Sequence, residues 1–237
     1  MKSYAFVSLL YGDNPSYALS AAVLGHSLRR AKTKHDMVLM YTDDVENVWL
    51  SICRSAGWTL RLVKHIKFQK ELYPTGRFPH VFTKLHAVGM EKYDKVIVLD
   101  TDVLIRNDMD EPFERQTPAA VRRHPQGKYL DFAEIDSRHL FDGQRNQIGG
   151  INARLMLLET SSKDFRRMEV QLATGRYLSR AGASESVRIN MDYEKDVYMV
   201  HFSGNIKPSH WMFDIAHPGP HTRNSSIPRW SSSCLPY

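Results

Sequence analysis

Only two cysteines, Cys53 and Cys234, occur in 237 residues. That number can build neither a disulfide framework nor a cysteine-ligated metal site. Long apolar runs are missing too. The longest candidate, residues 18–28, is broken by Ser20, Gly25, His26 and Ser27, and a bilayer span needs about 20 apolar residues. Met1-Lys2-Ser3 leads straight into a strand-like segment, without the pattern of a signal peptide. The expectation is a cytoplasmic protein with no signal peptide and no transmembrane segment. No internal repeat is visible. Lys and Arg total 32 against 26 acids, a formal net charge of +6, yet no long basic block exists. The basic pairs Arg29-Arg30, Arg122-Arg123 and Arg166-Arg167 read as solvated faces. With no zinc-finger, RNA-binding or helix-turn-helix signature beside them, nucleic acid is not an expected partner.

What is present is an ordinary globular mix, 42% hydrophobic and 24% charged, of a length suited to one domain. Tyr4 to Leu10 reads as a buried strand. Asn14 and Pro15 then supply an N-cap and a first helical residue, and Leu19, Ala22, Val23 and Leu28 follow at helical spacing. Met37 to Tyr41 and Thr59 to Val63 read as strands, with a helix from Val45 to Ala56 stopped by Gly57. Phe82 to Met90 reads as helical, and Lys95 to Leu99 is the strongest strand in the chain. Later come a strand from Leu155 to Leu158, a helix from Ser161 to Ala173 and a strand from Val197 to Phe202. Alternating strands and helices imply an α/β fold built from parallel βαβ units. Residues 215–237 contain four prolines, five serines and no acid, and read as a tail after a single domain spanning 1–214.

In a parallel α/β sheet, ligands sit beyond the carboxyl ends of the strands. Asp100-Thr101-Asp102 directly follows the strongest strand. In extended chain, residues i and i+2 share a side, so two carboxylates there can take a hard divalent cation. Two chemistries use this pattern: transfer from a nucleotide sugar, and phosphatase chemistry of the haloacid dehalogenase type through an aspartyl nucleophile. The second normally has its motif at the start of the domain, whereas 99 residues precede Asp100. Near the other end, His201-Phe202-Ser203-Gly204-Asn205-Ile206-Lys207-Pro208 offers an imidazole for a metal. The same segment holds a glycine for close backbone approach and a lysine for phosphate.

Taken together these segments resemble glycosyltransferase family 8, the glycogenin-like retaining enzymes of GT-A fold. The likeness spans about residues 3–115 and 149–211. It rests on Ala5 to Leu10 with Ala22 to Leu28, on Thr83-Lys84-Leu85, on Asp100-Thr101-Asp102, on Gly150-Ile151-Asn152-Ala153, and on His201 to Pro208. The resemblance implies one GT-A domain, with a Rossmann-like, mostly parallel central sheet flanked by helices. It implies a UDP-sugar donor, most readily UDP-glucose or UDP-galactose, a glycan or protein acceptor, and Mn²⁺ or alternatively Mg²⁺. Asp100, Asp102 and His201 would ligate the metal, and Lys84 is the candidate catalytic residue. Leu9, Tyr11 and Tyr17 would surround the uridine, with Thr101 at the ribose or diphosphate. Arg77 would reach the donor, Asn152 and Ala153 would face its sugar, and Gly204 and Lys207 would hold the diphosphate. A homodimer is compatible with this reading, as is a non-catalytic nucleotide-sugar-binding protein. Two departures stand out. Arg154 occupies a position where the family usually has Gly, and the family's acidic-Gln segment before His201 has no counterpart.

Overall fold

The computed structural model describes residues 2–66, 80–123, 150–174 and 199–201. A six-stranded sheet forms its centre, in the order β3-β2-β1-β4-β7-β6. These strands are β1 (Tyr4–Leu10), β2 (Asp36–Tyr41), β3 (Thr59–Leu62), β4 (Lys95–Leu99), β6 (Ala119–Arg123) and β7 (Gly150–Glu159). The pairings β1–β2, β2–β3 and β1–β4 are parallel. On the far side, β7 runs antiparallel to both β4 and β6. This is the mostly parallel α/β sheet expected from the alternation of elements. The antiparallel edge is new, because an apolar strand carries no local mark of its direction.

Side-chain alternation divides the core. Phe6, Leu10, Leu39, Ile97, Leu99 and Leu157 face one way, against Ala18, Ala21, Leu24 and Leu28 of α1 (Pro15–Arg30) and Leu50 and Cys53 of α2 (Asn47–Ser55). Ala5, Val7, Val38, Met40, Val96, Val98 and Met156 face the other way, against Ala87 and Met90. Such burial on both faces is what a parallel sheet requires. Asn14 caps α1 by accepting from the Ser16 amide, with Pro15 opening the helix. Gly57, at φ +107°, follows α2 in the left-handed region that favours glycine.

The segment expected as a helix from Phe82 to Met90 is a 3-10 helix over Val81–Ala87. The last helix among the described residues, α3 (Ser162–Thr174), falls within one residue of its expected bounds. A second, two-stranded sheet pairs β5 (Val103–Ile105) antiparallel with β8 (Met199–His201), setting His201 opposite Val103. Among the described residues, no helix is long and apolar enough to cross a membrane.

Candidate functional site

Strand order reverses between β1 and β4: β2 and β3 continue to one side of β1, while β4 lies on the other. Such a switch point opens a crevice at the carboxyl ends of the strands. Ser8 fastens the two strands just below it, its buried hydroxyl donating to the Leu99 carbonyl over 2.8 Å. Beyond Leu10 the chain turns at Gly12, where φ is +79°. Beyond Leu99 it turns through Asp100-Thr101, and the Asp100 amide still donates to the Arg154 carbonyl over 3.0 Å. The Asp-Thr-Asp segment and Tyr11 therefore emerge on neighbouring strands into one crevice.

The 3-10 helix brings a lysine to this point. Buried Thr83 accepts from the Ile66 amide at 3.2 Å, and His86 Nε2 donates to the Lys64 carbonyl at 2.8 Å. Held by these two bonds, the helix directs Lys84 Nζ to within 2.7 Å of Asp100 Oδ1. Asp102 is half-buried, and its Oδ1 is shielded from solvent. On the backbone of the paired strand, His201 is in register with Val103, the residue after Asp102. Carboxylates and imidazoles are the residue types that suit Mn²⁺ or Mg²⁺.

Tyr11 forms the next part of the rim. Burial pushes its phenol above the ordinary value, and neighbouring Tyr17 and Asp100 add to the push. Its ring meets His65 and His80 edge-on, at 6.1 and 5.8 Å between centroids. Those two imidazoles lie 4.0 Å apart. Burial, then repulsion from His65, lowers the His80 pKa, against an opposing pull from Asp44. Burial also acts to raise the Asp44 carboxyl, but hydrogen bonds from the Thr42 hydroxyl, the Gly12 amide and His65 outweigh it and hold the pKa low.

Of the residues singled out in the sequence, Leu9, Tyr11, Tyr17, Lys84, Asp100, Thr101 and Asp102 lie at this edge of the sheet or on the elements beside it. Tyr17 is 40% exposed on the first turns of α1. Asn152 and Ala153 lie on β7, where Asn152 is in register with Val121. Arg77, Gly204 and Lys207, and the tail from 215, fall outside the described residues. Sequence reasoning passed over a second acidic group. Asp43, Asp44 and His65 each offer a ligand atom within 4.8 Å of the others. The rule that singled out Asp100 also applies to Asp43-Asp44, which follow β2 almost directly. None of these three residues belongs to the set of Asp100, Asp102 and His201 expected from the sequence.

No protein-family model matches the chain. Among curated proteins it is 26% identical to "Uncharacterized protein R707" of Acanthamoeba polyphaga mimivirus, over 88% of this chain and 83% of that protein. It is 32% identical to inositol phosphorylceramide glucuronosyltransferase 1 of Arabidopsis thaliana, over 51% of this chain and 22% of that protein. Glycogenin-1 of Mus musculus is 28% identical over 51% of this chain and 37% of its own length. A solved structure of an active-site mutant of LgtC superposes with a TM-score of 0.53 at 14% identity, covering 90% of this chain and 95% of that one. The chain has the GT-A fold, and its homologues are glycosyltransferases. Galactinol synthase 7 and several UDP-glucuronate:xylan alpha-glucuronosyltransferases of Arabidopsis thaliana also match, over about half of this chain. The chain spans well under half the length of the relatives whose names state an activity.

Proposed function

We propose that this protein transfers a six-carbon sugar from a UDP-linked donor to a glycan or protein acceptor, in a metal-dependent reaction that retains anomeric configuration. The observation that carries the reading is the Asp100-Thr101-Asp102 turn at the switch point, with Lys84 fixed on Asp100. Glucose and galactose are the sugars the family resemblance favours. The donor in several relatives' names is UDP-glucuronate, which widens the class to hexuronic acids.

On this reading Asp100, Asp102 and His201 would hold Mn²⁺ or Mg²⁺. When bound, the cation supplies positive charge to the departing diphosphate. The remaining work falls to the chain itself. Lys84 orients the Asp100 carboxylate and adds a fixed cation to the crevice, where charge develops as the glycosidic bond breaks. Leu9, Tyr11 and Tyr17 form the uridine side. Thr101 offers its backbone to the ribose or diphosphate. Asn152 and Ala153 face the sugar, and Arg77, Gly204 and Lys207 complete the donor contacts.

Incubating the full chain with UDP-sugars and Mn²⁺, and following the anomeric proton of the released sugar by NMR, tests this reading. α-Configured product from an α-linked donor is the expected outcome. Release of phosphate from simple esters without any need for UDP would instead favour an aspartyl phosphatase. Binding of UDP-sugar with no turnover on any acceptor would mark a non-catalytic binding protein.

A further inference from the structure

Buried Thr42 closes β2, and the exposed pair Asp43-Asp44 follows it at the carboxyl edge of the sheet. The Thr42 hydroxyl donates to Asp44 Oδ1, and the Gly12 amide donates to the same carboxylate. His65 arrives from the segment after β3, with its Nε2 3.3 Å from Asp44 Oδ2 and its Nδ1 shielded from solvent. Both chain neighbours of His65 are tied to the 3-10 helix. Lys64 accepts from His86 through its carbonyl, and the Ile66 amide donates to Thr83. The His80 ring packs beside His65, with 4.0 Å between centroids. Asp44 and His65 are thus each fixed by bonds from outside the pair. Outer hydrogen bonds of this kind orient the ligands of metal sites.

The 3.3 Å separation of Asp44 and His65 is long for a charge-assisted bond, which closes to about 2.7–2.9 Å. Two ligand atoms bound tetrahedrally to one ion, each at roughly 2.1 Å, lie about 3.4 Å apart. The gap therefore matches an edge of such a tetrahedron. Asp43 completes the group, the three ligand atoms all lying within 4.8 Å of one another. Its side chain is exposed, so a change of rotamer can shorten the longer edges. An imidazole among the donors sets this group apart from an ordinary acidic pair. Ca²⁺ takes oxygen ligands, whereas imidazole favours zinc and its first-row neighbours.

We propose that Asp43, Asp44 and His65 hold a divalent ion of the zinc class, with water in the remaining position. The proposal does not rest on the donor reading, and its residues are not those expected to hold the donor's cation. An ion here would clip the end of β2 to the segment after β3. Through Lys64 and Ile66 the clip extends to the 3-10 helix that carries Lys84. Tyr11, whose ring meets that of His65, stands on the same rim.

The test titrates Zn²⁺ alone into the full chain, by calorimetry and by thermal melts. Wild type, Asp43→Asn, His65→Gln, Thr42→Val and Asp102→Asn are compared. Wild type and D102N are expected to bind Zn²⁺ alike and to gain Tm with it, because the ion binds only the folded state. D43N and H65Q should each lose at least about tenfold in affinity, and T42V, which alters only the support of Asp44, about 10- to 100-fold. Excess Ca²⁺ should leave the bound Zn²⁺ in place, and Zn²⁺ should shift the ring ¹⁵N resonance of His65. D43N changes one exposed side chain, so it decides the matter even if H65Q fails to fold. The proposal is overturned if wild type does not bind Zn²⁺ or if D43N binds it as tightly as wild type. Loss of binding in D102N alone would place the ion at the Asp-Thr-Asp turn and overturn it as well. Displacement by Ca²⁺ at equal concentration, or an unmoved His65 resonance, would reduce the group to an exposed acidic pair.

Discussion

Lys84 and Asp100 form an ion pair of 2.7 Å, with side chains 14% and 36% exposed, linking the 3-10 helix to the end of β4. The pair is worth little as a surface contact, because partial exposure screens it. Its consequence lies in position: it fixes one oxygen of the first carboxylate of the Asp-Thr-Asp turn. Lys84→Met should lower kcat/KM for donor hydrolysis by about 10²-fold, the scale of losing one preorganised charge. Stability should fall by less than about 1 kcal/mol. Lys84→Arg should restore part of the activity, since its fork does not place charge as compactly. Steady-state kinetics beside a urea melt separates the two effects. A large stability loss with kcat/KM unchanged per folded molecule would make Lys84 structural.

Gly25 lies on α1 where a Cβ would come within 2.4 Å of Trp58 Nε1. Trp58 is almost fully buried, and its indole donates to the Ala21 carbonyl over 2.7 Å. Gly25→Ala should gain helix propensity yet displace this ring, for a net cost of about 1–2 kcal/mol. Circular dichroism in urea gives the value. A gain in stability would mean that Trp58 can move aside without losing its hydrogen bond.

The parallel half of the fold was legible because it is locally encoded. β1 and β4 match the apolar runs Tyr4 to Leu10 and Lys95 to Leu99, and Asn14-Pro15 marks the start of α1. What escaped lacks such a code. β5 is only three residues long and gains its order by pairing with β8, almost a hundred positions away. β6 has two arginines in five residues and depends on β7 for its place. The Asp-Thr-Asp turn was legible as chemistry. Its ion pair with Lys84 was not, since sixteen residues separate the partners and only the fold of the 3-10 helix joins them. Asp43-Asp44 and His65 likewise meet only because β2 and β3 are adjacent.

His80 makes stability depend on pH. Burial and His65 depress its folded pKa, with Asp44 opposing, so the unfolded chain binds a proton more readily than the folded one. The folded state should therefore lose stability as pH falls below the ordinary imidazole value near 6.5, and the loss is complete once folded His80 also protonates. His80→Asn should flatten this part of the profile, making the fall in Tm between about pH 7.5 and 5 smaller than in wild type. Thermal melts across that range check it. An unchanged slope would show that His80 titrates alike in both states.

The final prediction separates the two aspartates of the turn. Both are proposed to face the cation, and Asp100 is held by Lys84 at 2.7 Å. Asp102→Asn keeps the shape and removes one charge, so metal-dependent UDP affinity should fall while metal-free affinity stays put. Asp100→Asn should do the same and also leave the Lys84 ammonium without its carboxylate. If Lys84 acts through Asp100, adding Lys84→Met to Asp100→Asn should cost little more activity, whereas adding it to Asp102→Asn should cost nearly its full single effect. Calorimetry of UDP with Mn²⁺ and with chelator measures the first part, and kinetics on the two double variants the second. Independent, additive losses in both doubles would show that Lys84 works on the donor directly and not through the carboxylate it holds.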